Sequence, residues 1–389
     1  MLGIEITKPS GTGSPGTSAV SPGDLVRLAA QGLPQMLDPQ SQVFCYTLKK
    51  TPRGLEREGI SHRYTMMTLL GLHRLEAAGQ PSPVDIPRVL EALLRDTAWI
   101  QGAGDLGLLL WTCAEIAPDR LREVCGKLRP HGALDRFGDT RRGYTMEVAW
   151  FLAGVAHCLM VAPNDLSDLA PDGLAAMELL KQNCGVGGIF GHLATTKSLA
   201  GRLRGRIGSF ADQVYPMYAF SKFATCGHDE ARQMALRTAH TICQHQGPLG
   251  QWWWHYSSST GRVAGRYAVY SVHQHAMAPM ALLAVADATG EDFSKSIFRG
   301  LDWVSGRNEL NLDMRDAANH IVWRSFYQGR YRRYANRISN LAGLPGSAGG
   351  LQVKYECRPY ELGWLLYAFA DFARRLPSDA SQASRQSAS

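Results

Sequence analysis

The chain is predicted to be all-α, a single (α/α)6 barrel (toroid) of helical hairpins. Three observations predict it. Amphipathic and continuously apolar helical segments alternate along the sequence. Six of the apolar ones begin near Tyr64, Asp105, Tyr144, Asp212, His273 and Glu361. The first two steps, Tyr64 to Asp105 and Asp105 to Tyr144, are 41 and 39 residues long. Hairpin repeats of about 40 residues bury their apolar faces only against their neighbours, and six of them close a ring.

Residues 1–23, with GTGSPGTSAVSPG at their heart, and 378–389 are small, polar and rich in Gly, Pro and Ser. Neither can bury enough apolar surface to order itself, so both are expected to be disordered tails around one domain at 24–377. Asp24–Leu37 is a short amphipathic opener, and Val43–Lys50 is the one stretch with strand character. Glu58–Gly79 carries apolar residues at spacings of three and four and stops at glycine, as a helix does. The apolar segments Asp105–Ala117, Gly143–Val161 and Phe210–Gly227 then alternate with the amphipathic Pro87–Trp99, Asp172–Asn183 and His228–Gln246. Gly265–Gly290 adds a polar start and an apolar helix, Asp292–Ser305 an amphipathic one, and Arg358–Leu376 the last apolar one. A basic excursion, 308–355, interrupts the end of the series.

Apolar residues make up 45% and charged ones 19%, with a net charge of +7. The N-terminus MLGIEITKPS lacks the basic-then-apolar layout of a secretory signal, and no apolar run approaches the roughly 20 residues that cross a bilayer. A cytoplasmic protein without a transmembrane segment is expected. The eight cysteines show no CxxC spacing and read as buried small hydrophobes. Cys226-x-His228 and Cys243-x-His245 lack zinc-site spacing, so neither a metal nor a cofactor is expected. Arg202–Arg206 is a basic run and Arg324–Arg337 interleaves basic and aromatic residues, but no helix-turn-helix, RNA-recognition or zinc-finger pattern accompanies them. The expected partner is an anionic small molecule or glycan rather than nucleic acid, with 324–337 available to a partner protein.

Gln246, Gly250 and Trp252 form a Q-x-x-x-G-x-W turn between an outer and an inner helix, and Gln182 with Gly187, Gly188 and Phe190 looks like a second copy. This punctuation resembles that of the α/α-toroid superfamilies over roughly residues 58–376. They comprise six-hairpin glycosidases, toroidal polysaccharide lyases, sugar epimerases and terpenoid cyclase/prenyltransferase toroids. Tyr270-x-x-His273 leading into a helix of small residues is similar to toroidal proteins of bacterial surface-polysaccharide pathways. The resemblance implies a ligand funnel at the end of the ring where outer helices hand over to inner ones.

Inner-helix N-termini also present unpaired N–H groups and a positive dipole to that funnel. Pro216 and Pro359 fit there, since a first helical turn tolerates proline. Candidate catalytic residues are His273 and Tyr270 for proton transfer and Asp105, Glu147, Asp212 and Glu361 as carboxylates. Candidate binding residues are Arg63, Tyr64, Arg142, Tyr144, Tyr215, Trp253, His275, Arg358 and Tyr360; Asp135, Asp139 and Arg141 also come within reach. The plainer alternative is that these positions cap helices. Hydrolysis requires two carboxyl groups flanking the scissile bond, and no particular pair is singled out. Elimination or epimerisation of a uronate requires a base, an acid and cations to neutralise the carboxylate, which histidine, tyrosine and arginine supply. A terpenoid cyclase is the alternative enzyme, although its aspartate-rich motifs are missing, and a non-catalytic binding toroid is the third reading.

Overall fold

The computed structural model describes residues 20–128, 132–134, 145–193, 205–329 and 349–374. Both predicted tails fall almost wholly outside them. The described residues contain twelve α-helices in two concentric layers. The outer layer is α1 (Pro22–Gly32), α3 (Ile86–Arg95), α5 (Leu121–Leu128), α7 (Ala170–Gln182), α9 (Asp229–Gln244) and α11 (Ser294–Val304). The inner ring is α2 (His62–Ala77), α4 (Ala103–Ile116), α6 (Thr145–Val161), α8 (Ala211–Thr225), α10 (a π turn at His273–Met277 continuing through Ala278–Thr289) and α12 (Pro359–Arg374). Each inner helix packs on the next, and α12 packs on both α10 and α2, so the ring closes. The first helix, α1, backs the last, α12.

Residue pattern explains the two layers. On α3 only Ile86, Val89, Leu90 and Leu93 are buried, a stripe at helical spacing, whereas α4 is buried continuously from Ala103 to Ala114. Start signals are local: Ser61 accepts a hydrogen bond from the Tyr64 N–H (3.3 Å) and Asp85 one from the Arg88 N–H (3.0 Å). The inner seams are held close by glycine. A Cβ on Gly71 would collide with the Gly363 carbonyl, and one on Gly107 with the Phe151 backbone, while Gly154 lies against Gly107 from the other side.

Strand content exceeds the expectation. Cys45–Thr51 (β1) pairs with Gly54–Ile60 (β2), so residues 58–60 belong to a hairpin and the helix expected from Glu58 begins at His62. Gly54 makes the tight turn, with a φ of 120°. Further short antiparallel strands are β3 (Ile207–Ser209), β4 (His255–Ser257), β5 (Arg262–Gly265), β6 (Val269–Tyr270), β7 (Arg315–Asp316), β8 (Ile321–Val322), β9 (Ser325–Gln328), β10 (Leu351–Lys354) and β11 (Glu356–Cys357). The sheets run β11-β1-β2, β3-β4-β5, β10-β9-β6 and β7-β8. Tyr270 therefore precedes its helix, in β6, and the described part of 308–355 is a set of small sheets rather than an open loop. Pro216 lies inside α8 rather than in its first turn.

Connections differ sharply between the two ends of the ring. Inner helices pass to outer ones through turns of three to eight residues, 226–228 and 290–293 among them, whereas four of the outer helices return through 33–61, 183–210, 245–272 and 305–358, which carry the strands. Long connections on a rigid scaffold are where function concentrates, and these all open onto the inner-helix N-termini. No helix among the described residues is long and apolar enough to cross a membrane.

The seams carry the first prediction. Gly107→Ala forces a methyl into backbone on the neighbouring inner helix and is expected to cost about 1–3 kcal/mol, despite alanine's better helix propensity. Urea unfolding followed by helical CD should show the lower midpoint.

Candidate active site

Three polar groupings stand at the inner-helix N-termini. In the first, Arg63 at the start of α2 donates from Nε to Asp105 of α4 and from Nη2 to Glu147 of α6 (2.9 Å to Oε1), and lies 5.5 Å from the Trp150 ring. Asp105 also accepts from the Gln101 N–H at 3.0 Å. One guanidinium thus ties three successive inner helices together, with both carboxylates nearly buried.

The second grouping spans α10, α12 and α2. Arg324 is buried, pairs with Glu361 at 2.5 Å and lies 5.2 Å from the Tyr270 ring. Burial acts against both charges: it leaves the Glu361 carboxyl raised despite Arg324, while Arg324 is held above its ordinary value because Glu361 together with Tyr360, Tyr270 and Tyr64 outweighs the burial. Arg358, just before α12, donates to the Tyr64 hydroxyl at 2.6 Å and the Tyr46 hydroxyl at 2.9 Å, with its guanidinium 4.3 Å from the Tyr46 ring. It makes no ion pair with a described residue, and its Nε is buried without a hydrogen-bond partner. Tyr360 packs on Tyr64 with ring centroids 4.5 Å apart.

His273 sits beside this grouping, 4.5 Å from the Phe210 ring and 5.1 Å from that of Tyr270. Burial, reinforced by Arg324, pushes its imidazole down to about 3, so it is neutral at pH 7. Trp254 meets Tyr270 edge-on at 5.6 Å.

The third grouping is His192 and Asp212. His192 Nδ1 lies 2.9 Å from Asp212 Oδ2, which also accepts from the Ser209 N–H (2.7 Å) and hydroxyl (2.8 Å). The Thr145 N–H, at the start of α6, donates to the His192 carbonyl at 3.0 Å.

Several expected residues stand elsewhere. Tyr215 is buried and accepts from the Trp364 indole at 2.9 Å, closing the lumen beneath the mouth. Trp253 is buried against Tyr267 and Arg266; of the three successive tryptophans it is Trp254 that is half-exposed. His275 is fully buried, with neither ring nitrogen bonded. Arg324, the first residue of the run expected on the surface, is interior; Arg330–Arg337 fall outside the described residues, as do Arg141, Arg142, Tyr144, Asp135 and Asp139. No group of three or more metal-ligating side chains occurs among the described residues.

The turn motif is also read differently from the expectation. Gln246 does bond the Gly250 carbonyl (3.0 Å), but Gln182 is exposed. The repeated feature is instead Gln213 and Gln274 at the starts of α8 and α10. Gln213 accepts from the Phe190 N–H (2.8 Å) and donates to its carbonyl (2.9 Å), and Gln274 does the same with Trp252 (3.0 and 3.4 Å). Their similar offsets from Phe190 and Trp252, 23 and 22 residues, are a repeat signal that could have found them.

The far end of the lumen is closed by a second network. Glu115 bonds Trp111, Arg74 and Tyr367, and Tyr218 links Tyr367 (2.6 Å) to His157 (2.9 Å). Burial would raise Glu115, but Arg74 and the hydrogen bonds from Tyr367 and Trp111, joined by His157 where it is protonated, hold it low; burial keeps His157 itself down to about 3. With His157 neutral, Arg74 is the cation that keeps Glu115 ionised.

No family model and no curated relative matches the chain at the level of sequence. The structure is similar to cellobiose 2-epimerase from Bacillus thermoamylovorans B4167 (TM-score 0.61, 11% identity, 91% of this chain and 99% of that one). A sugar epimerase from a ruminal bacterium (TM-score 0.59, 9% identity, 92% and 99%) and glycosyl hydrolase family 88 from Bacteroides vulgatus (TM-score 0.57, 11% identity, 92% and 100%) are also similar. The fold is the (α/α)6 toroid that the hairpin alternation predicts.

The buried imidazoles set the chain's acid sensitivity. His273 and His275 are each pushed down to about 3, chiefly by burial, so the folded chain stays unprotonated where the unfolded chain binds protons. Stability is fully present above about pH 6.5 and is lost as pH falls towards 3, at about 2 kcal/mol per histidine by pH 5. His275→Leu, which also removes two unpaired nitrogens, should shrink the difference in urea-unfolding free energy between pH 7 and pH 5 by about that amount.

Proposed function

We propose that this chain is a carbohydrate-active enzyme that binds an anionic glycan at the inner-helix N-termini and transfers a proton on it, by epimerisation or elimination. The observation that carries this is Arg358, a cation at the mouth whose side chain forms no ion pair with a described residue, held by the hydroxyls of the stacked Tyr46 and Tyr64 and beside the helix start of α12. Arg63, the other expected anion binder, is already committed to Asp105 and Glu147. A sugar carboxylate on Arg358 loses charge, which makes the hydrogen on the adjacent carbon more acidic. Neutral His273 and the Tyr270 hydroxyl are the proton-transfer groups on that side, and the half-exposed Trp254 offers a face for sugar C–H groups.

The carboxylates weigh against hydrolysis. Asp105 and Glu147 are held by one guanidinium, Asp212 is engaged with Ser209 and His192, and Glu361 is buried against Arg324. None is placed as a protonated acid facing a second carboxylate across a bond. A surface-polysaccharide precursor is the finer reading of the substrate, supported by Tyr270-x-x-His273 alone.

Arg358→Gln should raise KM for a glucuronate-bearing oligosaccharide about 10- to 100-fold, the loss of a charge-assisted bond of about 1.5–3 kcal/mol, and leave neutral analogues unaffected. Equal effects on both would show that the arginine does not read the anion. His273→Ala should keep its helical CD and lose at least about 100-fold in kcat, the usual contribution of a general acid or base; full activity removes His273 from the mechanism.

A further inference from the structure

His192 and Asp212 form a carboxylate–imidazole pair that neither the resemblance nor the comparisons single out. His192 precedes a segment outside the described residues, and its backbone is pinned to the start of α6 by the Thr145 N–H. Its ring is held by Nδ1 on Asp212 Oδ2 at 2.9 Å, with the imidazole 40% and the carboxylate 1% exposed. A hydrogen bond from Nδ1 selects the tautomer whose Nε2 carries a lone pair. In the same orientation a carboxylate stabilises the imidazolium that forms when Nε2 takes a proton.

Capping alone does not account for Asp212. It and Ser209 do form a reciprocal cap, since the Asp212 N–H also donates to the Ser209 hydroxyl at 3.3 Å. Yet Asp212 Oδ1 is buried with no hydrogen-bond partner, and burying an under-bonded carboxylate costs free energy that a neutral capping residue would spare. The negative charge becomes useful when a cation forms beside it, and the neighbouring imidazole is where one can form. Phe210 ties this pair to the rest of the mouth: two residues before Asp212, it packs against His273. The two imidazoles therefore flank the start of α8 in opposite settings, one desolvated beside Arg324 and the other backed by a carboxylate. Such divergent environments are how one site supplies distinct proton-transfer groups.

We propose that His192 is a proton-transfer residue of this mouth, with Asp212 as its positioning residue; this rests on the reading of a proton-transferring sugar enzyme given above. Nε2 takes the hydrogen on the carbon adjacent to the sugar carboxylate: the C–H bond breaks, an N–H bond forms, and the electron pair passes into the carboxylate, whose charge Arg358 faces. The imidazolium is held by Asp212 until the N–H bond breaks again and the proton returns to carbon or to solvent. Among the groups that bond the pair are the Ser209 hydroxyl and N–H and the backbone N–H of Thr145.

The test uses the full chain and glucuronate-terminated oligosaccharides in D2O, with deuterium uptake at the sugar carbon read by NMR. His192→Gln should lower kcat at least 100-fold with KM within threefold. Asp212→Asn should move the acid limb of kcat/KM to lower pH, while Ser209→Ala, which removes the cap but not the carboxylate, should leave the limb in place. A His192→Gln enzyme within threefold of the parent kcat, or Asp212→Asn and parent profiles that coincide, overturns the proposal. If the parent neither exchanges a sugar hydrogen nor forms an unsaturated uronate, the reading of function falls, and carbethoxylation by diethylpyrocarbonate judges the pair itself. His192 reacting faster in the parent than in Asp212→Asn supports it, and equal rates overturn it.

Discussion

The seam between α2 and α12 is the contact on which the mouth depends. It joins the last inner helix to the first, and it closes because Gly71 and Gly363 remove the side chains that would hold the two backbones apart. That closeness sets the relation between Tyr64, on α2, and Arg358 and Tyr360, at the head of α12. Without it Arg358 would lose the stacked Tyr46–Tyr64 pair whose hydroxyls it bonds. The buried Arg324–Glu361 pair then locks the head of α12 to the segment that precedes β9. Breaking such a pair from one side leaves an uncompensated interior charge, so the seam and the ion pair support the same corner of the ring.

Much of this architecture was legible along the chain, and the reason is local. An inner helix is surrounded by other helices, so its sequence is apolar on every side, as in the run from Leu106 to Ala114, whereas an outer one such as α3 keeps a stripe. Such differences lie within a dozen residues and need no knowledge of partners. The hairpin at 45–60 was half visible, because β1 has strand character but β2, Gly-Leu-Glu-Arg-Glu-Gly-Ile, is exposed along almost its whole length and has no apolar face to betray it.

The mouth was legible as a set of positions and not as a set of partnerships. Arg63, Asp105 and Glu147 were named separately, but their common ion-pair system depends on how three helices align. Arg324 carried the look of a surface run, since nothing within 324–337 announces a carboxylate at Glu361, 37 residues on. His192 was overlooked because a lone histidine after glycine, twenty residues before its aspartate, has no local signature. Gln213 and Gln274 are different: they follow Phe190 and Trp252 by 23 and 22 residues, and comparison of one hairpin with the next, allowing one residue of slack, would have exposed them.

The pairing of α1 with α12 has a consequence for how the chain could be rewired. The helix that begins the described fold and the helix that ends it are two halves of one hairpin, so the ring treats that junction like any other. Its order is cyclic rather than linear. A circular permutant that joins those two helices and opens instead at a short inner-to-outer turn, such as 226–228, would cut the ring on the face away from the mouth and keep every connection that builds it.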